Sequence, residues 1–241
     1  MLNRFLVVMP WGRVGSNLLM DLIRQFPVRK KLNSEKFNQL RTIEEQVTWF
    51  EDFYELHSQG RTKLIGSKQS VLSMRDIGRI EALLSDHSIS VIRMRRENCL
   101  RAAVSQIRAE QYAEKTRAET GSARWAQRKG DPGLGPSHID PDLLLRRTRI
   151  MATQQQRMMD GFQGLRLLEI EYEEINSQLM SVYERLSEFL GLPSTAICIP
   201  FDKSTPEDLT HAITNYDEVE RMLENTEFGE YLLFHERGCS P

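Results

Sequence analysis

The sequence predicts an α/β protein: a central, mainly parallel sheet of about four to five strands, flanked by helices in three layers. Three observations point there. Short apolar runs alternate with longer segments of helical periodicity, and parallel strands need such crossovers. The first run is followed at once by a glycine-containing turn and a helix, an arrangement that leaves backbone N–H groups at a strand's carboxyl end. Finally, 241 residues that are 40% hydrophobic and 27% charged make an ordinary globular composition, long enough to bury a sizeable core as a single domain over 1–241.

The elements follow in order. Arg4–Met9 is short, apolar and β-branched, which suits a buried strand. Pro10–Gly15 breaks it with one Pro and two Gly. In Asn17–Gln25 the residues Leu18, Leu19, Leu22 and Ile23 share a helical face. Thr42–Ser58 opens with a capping box, Thr42 with Glu45, and reads as a helix. Lys63–Lys68 is a second strand, Ser73–Asp86 a helix, Ser88–Met94 a third strand and Glu97–Gln111 a helix. Residues 112–140 are polar and hold Gly-Asp-Pro-Gly-Leu-Gly-Pro, so they read as a long loop that could cover a site. Pro141–Asp160 begins with Pro and Asp, as helices do. Leu165–Ile170 is a fourth strand, Ser177–Leu190 a helix stopped by Gly191, and Ala196–Pro200 a short fifth strand. Residues 202–241 read as acidic helices, roughly Pro206–Ile213 and Tyr216–Leu223.

The net charge of −2 hides an asymmetry. Residues 1–149 carry 26 Lys/Arg against 17 Asp/Glu, and residues 150–241 carry 6 against 17. A generally basic nucleic-acid binder is disfavoured, while a basic portion that holds a small polyanion fits. No run spans a bilayer, and the opening residues make a poor signal peptide. Cys99, Cys198 and Cys239 are scattered and odd in number, which points to a reducing cytoplasm rather than a disulfide framework. No His pair or carboxylate cluster has metal-ligand spacing. The oligomeric state is open, with a homo-oligomer compatible.

Two constellations carry chemistry. Trp11-Gly12-Arg13-Val14-Gly15-Ser16-Asn17 links the first strand to the first helix. Helix N-termini bind anions through unpaired N–H groups and positive potential. Gly12 and Gly15 allow close backbone approach, Ser16 and Asn17 add polar groups, and Arg13 adds charge. A plain turn with a capped helix would show the same residues. The spacing and the missing Lys disfavour a Walker A loop. The second constellation is Arg93-Met94-Arg95-Arg96-Glu97-Asn98, with Arg101 and Ser105 beyond it. Four Arg against one Glu in nine residues suits phosphate oxygens, although a solvated basic helix start looks alike.

Together these segments resemble the sulfotransferases that use 3′-phosphoadenosine 5′-phosphosulfate (PAPS). Arg13-Val14-Gly15-Ser16-Asn17-Leu18-Leu19 is similar to the family's 5′-phosphosulfate loop. Val91 to Asn98, followed by Ala103-Val104-Ser105, is similar to its 3′-phosphate motif. The subgroup most alike is the bacterial carbohydrate sulfotransferases, of trehalose and Nod-factor type. Asn33-Ser34-Glu35-Lys36-Phe37-Asn38 resembles their Glu-containing motif. Leu168 to Ile175 resembles the family's strand ending in Tyr-Glu, and Glu188 to Leu192 the helix end that follows it. The run from Pro206-Glu207-Asp208-Leu209 to Asn215-Tyr216 also looks like this subgroup. There are departures. Glu97 stands eight residues before Ser105, so the 3′-phosphate Arg is Arg96 or Arg95. Arg13 replaces the Lys of many animal members. The letters Arg-Lys-Gly-x-x-Gly occur at 128–133, before the fourth strand and out of their usual place.

The resemblance implies a P-loop-like fold and transfer of a sulfuryl group from PAPS to a hydroxyl or amine, with a carbohydrate or glycolipid acceptor. It implies cofactor binding by Gly12, Arg13, Val14, Gly15, Ser16, Asn17 and Leu18, and by Arg96, Ser105 and Tyr172. Arg13 and Glu35 would be catalytic, Glu35 as general base. Lys68 is a further catalytic candidate by position, since it ends the second strand and points toward the ligand edge, although an ordinary strand-end Lys would look alike. The alternative base is a His: His57, His87, His138, His211 or His235. Trp11, Trp49, Tyr172 and Phe201 are candidates to stack on adenine. Loop 112–140 and Pro27–Arg41 are expected at the acceptor rim. The competing classes are a kinase-like P-loop nucleotide binder and a non-catalytic binding module.

Overall fold

Five strands form one sheet in which every pairing is parallel: β1 (Asn3–Met9), β2 (Lys30–Ser34), β3 (Leu64–Ser70), β4 (Ser90–Arg95) and β5 (Leu167–Glu171), in the order β2-β3-β1-β4-β5. The computed structural model describes residues 2–58, 61–125, 134–198 and 208–233. Among them the helices are α1 (Ser16–Gln25), α2 (Ile43–Ser58), α3 (Ile77–Asp86), α4 (Cys99–Thr120), α5 (Pro141–Asp160), α6 (Tyr172–Ser177), α7 (Leu179–Leu190), α8 (Tyr216–Leu223) and α9 (Glu230–Leu233). The chain divides into two compact units, Met1–Arg96 with Thr153–Ile197, and Glu97–Ala152 with Cys198–Pro241.

The first unit holds the whole sheet. Alternate residues of β1 point to opposite faces, and both faces are covered, so the strand is apolar throughout. Phe5, Val7 and Met9 pack in one core with Leu19, Leu22 and Ile23 of α1 and Val182, Tyr183 and Leu186 of α7. Leu6 and Val8 pack in the other with Phe50 and Tyr54 of α2, Ile80 and Leu84 of α3, and Met158 near the end of α5. These helix–sheet–helix layers are the expected α/β architecture. Gly66 pairs with Phe5 across β3 and β1, and a Cβ there would overlap the Phe5 ring.

β1 leads to β2 on one side of the sheet, while β4 leads to β5 on the other. The strand order therefore reverses between β1 and β4, and ligands of open α/β sheets bind at the carboxyl ends of the strands at such a switch point.

Several expectations change. The fifth strand is β2, not Ala196–Pro200: residues 196–198 have no regular structure, and 199–200 lie outside the described residues. Among the described residues β2 is an edge strand, paired only to β3. Edge strands are commonly polar, and Lys-Lys-Leu-Asn-Ser carries no hydrophobic run. Residues 112–120, expected as loop, continue α4, because Ala113, Glu114, Lys115 and Ala118 are good helix formers. Gly121 ends that helix at φ 74°, its N–H bonded to the Arg117 carbonyl. α3 begins at Ile77, because the Asp76 side chain caps it by accepting from Arg79 N–H. The strand Leu167–Glu171 runs directly into the short helix α6, which Gln178 separates from α7. Of Pro206–Ile213, residues 206–207 lie outside the described residues, and Leu209–His211 is a single 3-10 turn. α8 forms where expected.

The second unit has its own core. Leu100, Ala103, Val104 and Ile107 of α4 pack with Leu144 of α5, Leu209, Ile213, and Val219 and Leu223 of α8. Buried Arg108 donates to the carbonyls of Leu134 (2.8 Å) and Ala212 (2.6 Å), joining two loop segments to α4. Desolvation pulls its guanidinium below the ordinary arginine value. Among the described residues no helix is long and apolar enough to cross a membrane.

Candidate functional site

The turn from β1 to α1 is built around two left-handed residues, Arg13 (φ 69°) and Gly15 (φ 77°); Gly12 is not among the positive-φ positions. Gly15 is also a point of close approach. A Cβ there would lie 2.7 Å from Tyr172 Cδ2 and 3.0 Å from Met94 Cε. Val14 is fully buried in the core and Leu18 packs against the same cluster, so their side chains anchor the turn. The N–H groups of Ser16, Asn17 and Leu18 open α1 and have no intrahelical acceptor. This is the local chemistry of an anion cradle.

Lys68 lies beside this cradle. Register places it opposite Val7 of β1 and Ser34 of β2. It is 1% exposed, so its charge must be compensated. Its Nζ donates to Asn17 Oδ1 at 2.6 Å and pairs with Glu35 Oε1 at 2.7 Å. Glu35 follows β2 directly, in the left-handed region (φ 56°), with its N–H bonded to the Lys68 carbonyl at 2.6 Å. Asn38 donates to Glu35 Oε2 at 3.2 Å, and Gln69 Oε1 accepts from Phe37 N–H at 3.0 Å. The Glu35 loop is thus tied to β3 by side chain and backbone. Its side chain remains 37% exposed, so the carboxylate can still meet a substrate.

The arginines of β4 separate by what they touch. Arg93 pairs with Glu169 and donates to the carbonyls of Met159 (3.0 Å) and Gly161 (3.1 Å). Arg95 pairs with Glu171. Both pairs are register partners across β4 and β5. Arg96, just past the strand end and buried, lies with its guanidinium carbon 4.2 Å from the centroid of the Tyr172 ring. Arg13 belongs to the same cluster. Burial first, then the Arg96 charge, pulls the Arg13 guanidinium below the ordinary arginine value, and Tyr172 opposes this. Two like charges held in one desolvated place favour an anion.

The first unit therefore brings together Gly15, Ser16, Asn17, Lys68 and Glu35, and beside them Arg13, Arg96 and Tyr172. Ser105 belongs to the second unit, buried on the second turn of α4, whose start is capped by Asn98 accepting from Arg101 N–H at 2.9 Å. Among the adenine candidates, Trp49 stacks on Phe53 and meets Phe37 edge-on, so it packs α2. Of the alternative bases, His57 precedes the start of β3 and His87 the start of β4. Arg4, at the start of β1, bonds Ser58 and the His87 carbonyl, which marks that end as opposite to the cradle. His138 and His211 belong to the second unit. Phe201, His235, Cys239 and residues 128–133 lie outside the described residues. Sequence reasoning missed Asn38, Gln69 and Glu171 as supports. Asn38, three residues from Glu35, and Glu171, next to Tyr172, lay within quoted motifs, whereas Gln69 carried no local signal.

No protein-family model matches the chain, and no curated protein matches it. Solved structures do. A sulfotransferase from Alicyclobacillus acidocaldarius gives a TM-score of 0.49 at 15% identity, over 93% of this chain and 95% of that one. Mouse sulfotransferase SULT7A1, solved in complex with PAP, gives a TM-score of 0.51 at 14% identity, over 98% of this chain and 90% of that one. The five-stranded parallel α/β fold of this chain is thus similar to that of the mouse sulfotransferase.

Proposed function

We propose that the protein is a sulfotransferase that moves a sulfuryl group from PAPS to a hydroxyl or amine of a carbohydrate or glycolipid acceptor by in-line displacement. One observation carries the reading. The buried Lys68 ammonium touches Asn17 in the helix-start cradle and the Glu35 carboxylate at the same time, so the anion site and a candidate base share one cation. The fold likeness to a sulfotransferase supports it.

The residues fit such a nucleotide. Gly15 in its left-handed conformation and the N–H groups of Ser16, Asn17 and Leu18 suit a 5′ phosphosulfate, with Arg13 adding charge. Arg96, buried just past the end of β4 beside Tyr172 and Arg13, suits the 3′-phosphate. Gly12, Val14 and Leu18 contribute through the backbone. PAPS, when bound, supplies a sulfuryl group on a phosphate leaving group.

The chain's own residues then have separable tasks. Glu35, with Oε1 held by Lys68, takes up the acceptor proton at Oε2. Lys68, Arg13 and the first N–H groups of α1 stabilise negative charge growing on the leaving phosphate. Their fixed positions are the larger part of catalysis in such group transfers. Residues 27–41, which carry β2 and the Glu35 loop, form the acceptor rim in this reading. Residues 1–241 act as one transferase, in the cytoplasm.

Thermal shift with 3′-phosphoadenosine 5′-phosphate (PAP), ATP and GTP tests the proposal. PAP alone is expected to stabilise the protein, by mass action, and sulfate transfer to candidate glycans then follows. Equal stabilisation by ATP or GTP would point to a kinase-like P-loop protein. No shift with any of the three would point to a non-catalytic module.

A further inference from the structure

The carboxyl ends of β4 and β5 are joined by two consecutive contacts. Arg95 pairs with Glu171, and the residue that follows each strand makes the second contact, Arg96 over the ring of Tyr172 at 4.2 Å. Glu171 has another task. It forms a capping box with Glu174 at the start of α6, in which the Glu174 side chain accepts from Glu171 N–H at 3.1 Å. Tyr172 is the first residue of that helix. One residue therefore sits at the start of α6, where Tyr172 is presented, and pairs with Arg95 across the sheet.

Tyr172 is confined from its other side as well, since its ring edge closes on Gly15. The ring lies between the cradle turn and the Arg96 guanidinium, so a displaced Tyr172 leaves Arg96 without its platform. Cation–ring contacts of this kind orient an arginine where desolvation strengthens them. Arg95, held by Glu171, is kept out of competition for the same anion.

From this we infer that Glu171 is a positioning residue that sets specificity for the 3′-phosphate, acting through Tyr172 on Arg96; the inference rests on the nucleotide reading above. The selectivity of the site is then decided by a residue that touches no nucleotide. It follows that losing Glu171 harms recognition of the 3′-phosphate more than recognition of the rest of the nucleotide.

Calorimetric titration of the full chain with PAP and with AMP tests this, because the ratio of the two affinities isolates the 3′-phosphate. Glu171→Ala is expected to lower PAP affinity about tenfold, the order of losing a cap with its ion pair, and AMP affinity far less. Glu171→Gln, which keeps an acceptor for α6 but not the charge on Arg95, should fall between. In an Arg96→Ala background, Glu171→Ala should change the ratio no further, because residues acting as a unit are not additive. Equal losses for PAP and AMP, an unchanged or improved PAP affinity, or additive effects with Arg96→Ala would each overturn the inference. If Glu171→Ala does not fold by circular dichroism, Glu171→Gln decides alone: a wild-type ratio overturns the inference and a reduced one supports it. A wild type that does not prefer PAP to AMP refutes the nucleotide reading itself, and the inference with it.

Discussion

Lys68 illustrates how much a single residue's role depends on its surroundings. In the sequence it is a lysine near the end of a strand, and most such lysines reach into solvent. In the fold it is buried with two anchors, Asn17 and Glu35. Glu35→Gln keeps an oxygen for Lys68 to donate to but cannot take a proton. Turnover is expected to fall by about two to four orders of magnitude, the usual share of a general base, with PAP affinity nearly unchanged. Steady-state kinetics beside calorimetry would show this, and unchanged turnover would remove Glu35 from the role. Gly15 gives a second prediction. Gly15→Ala forces a Cβ to 2.7 Å from Tyr172 at φ 77° and should cost about 1–2 kcal/mol of stability, with a loss of nucleotide affinity. Chemical denaturation measures the first and titration the second. Gly15 was readable as a cradle residue from its turn. Its neighbour Tyr172, more than 150 positions away, was readable as a cofactor candidate through the resemblance, but its contact with Gly15 was not.

Elements were legible where their signals are local. The Thr42–Glu45 capping box forms as expected, with Glu45 N–H bonded to Thr42 Oγ1 at 3.1 Å and Thr42 N–H to Glu45 Oε2 at 3.2 Å. The backbone N–H groups of Arg41 and Thr42 hold the Glu45 carboxyl below its ordinary value. A carboxyl depressed in the folded state contributes stability that is present above its unfolded value and lost as pH falls through the folded one. Glu45→Ala should therefore lower the Tm at neutral pH, with the gap to the parent narrowing below about pH 4. Thermal melts across pH would show this, and a constant gap would contradict it. β2 was not legible, because an edge strand with polar residues has no apolar period to read. The extent of α4 was misread because polar helix formers and loop residues look alike without tertiary contacts. The turn of α6 was hidden for another reason: its start is set by a carboxylate also engaged across the sheet.

Across the whole molecule, folding redistributes charge. Along the sequence the two parts differ by +9 against −11. Counted by unit the balance is milder: 19 Lys/Arg and 17 Asp/Glu in the first, 13 and 17 in the second. The segment Thr153–Ile197 brings Glu169 and Glu171 to Arg93 and Arg95, so much of the apparent basic excess is consumed inside the first unit. Arg13, Lys68 and Arg96 are the cations of the candidate anion site, all within the first unit. PAP affinity should accordingly weaken as salt is raised over roughly 0.05–0.5 M, and less steeply for Arg96→Ala than for the parent. Titrations at several ionic strengths would reveal it, and equal slopes would exclude Arg96 from the contact. The sequence by itself determined the α/β class, the β1–α1 turn and the presence of an arginine cluster, because periodicity, glycines and charge runs are local properties. Only the tertiary structure decided that Arg96 rather than Arg95 faces the cluster of Arg13 and Tyr172, and that Glu35 meets Lys68. Those outcomes depend on strand register and on burial, which pair residues far apart in the chain and make an unpaired charge too costly to leave.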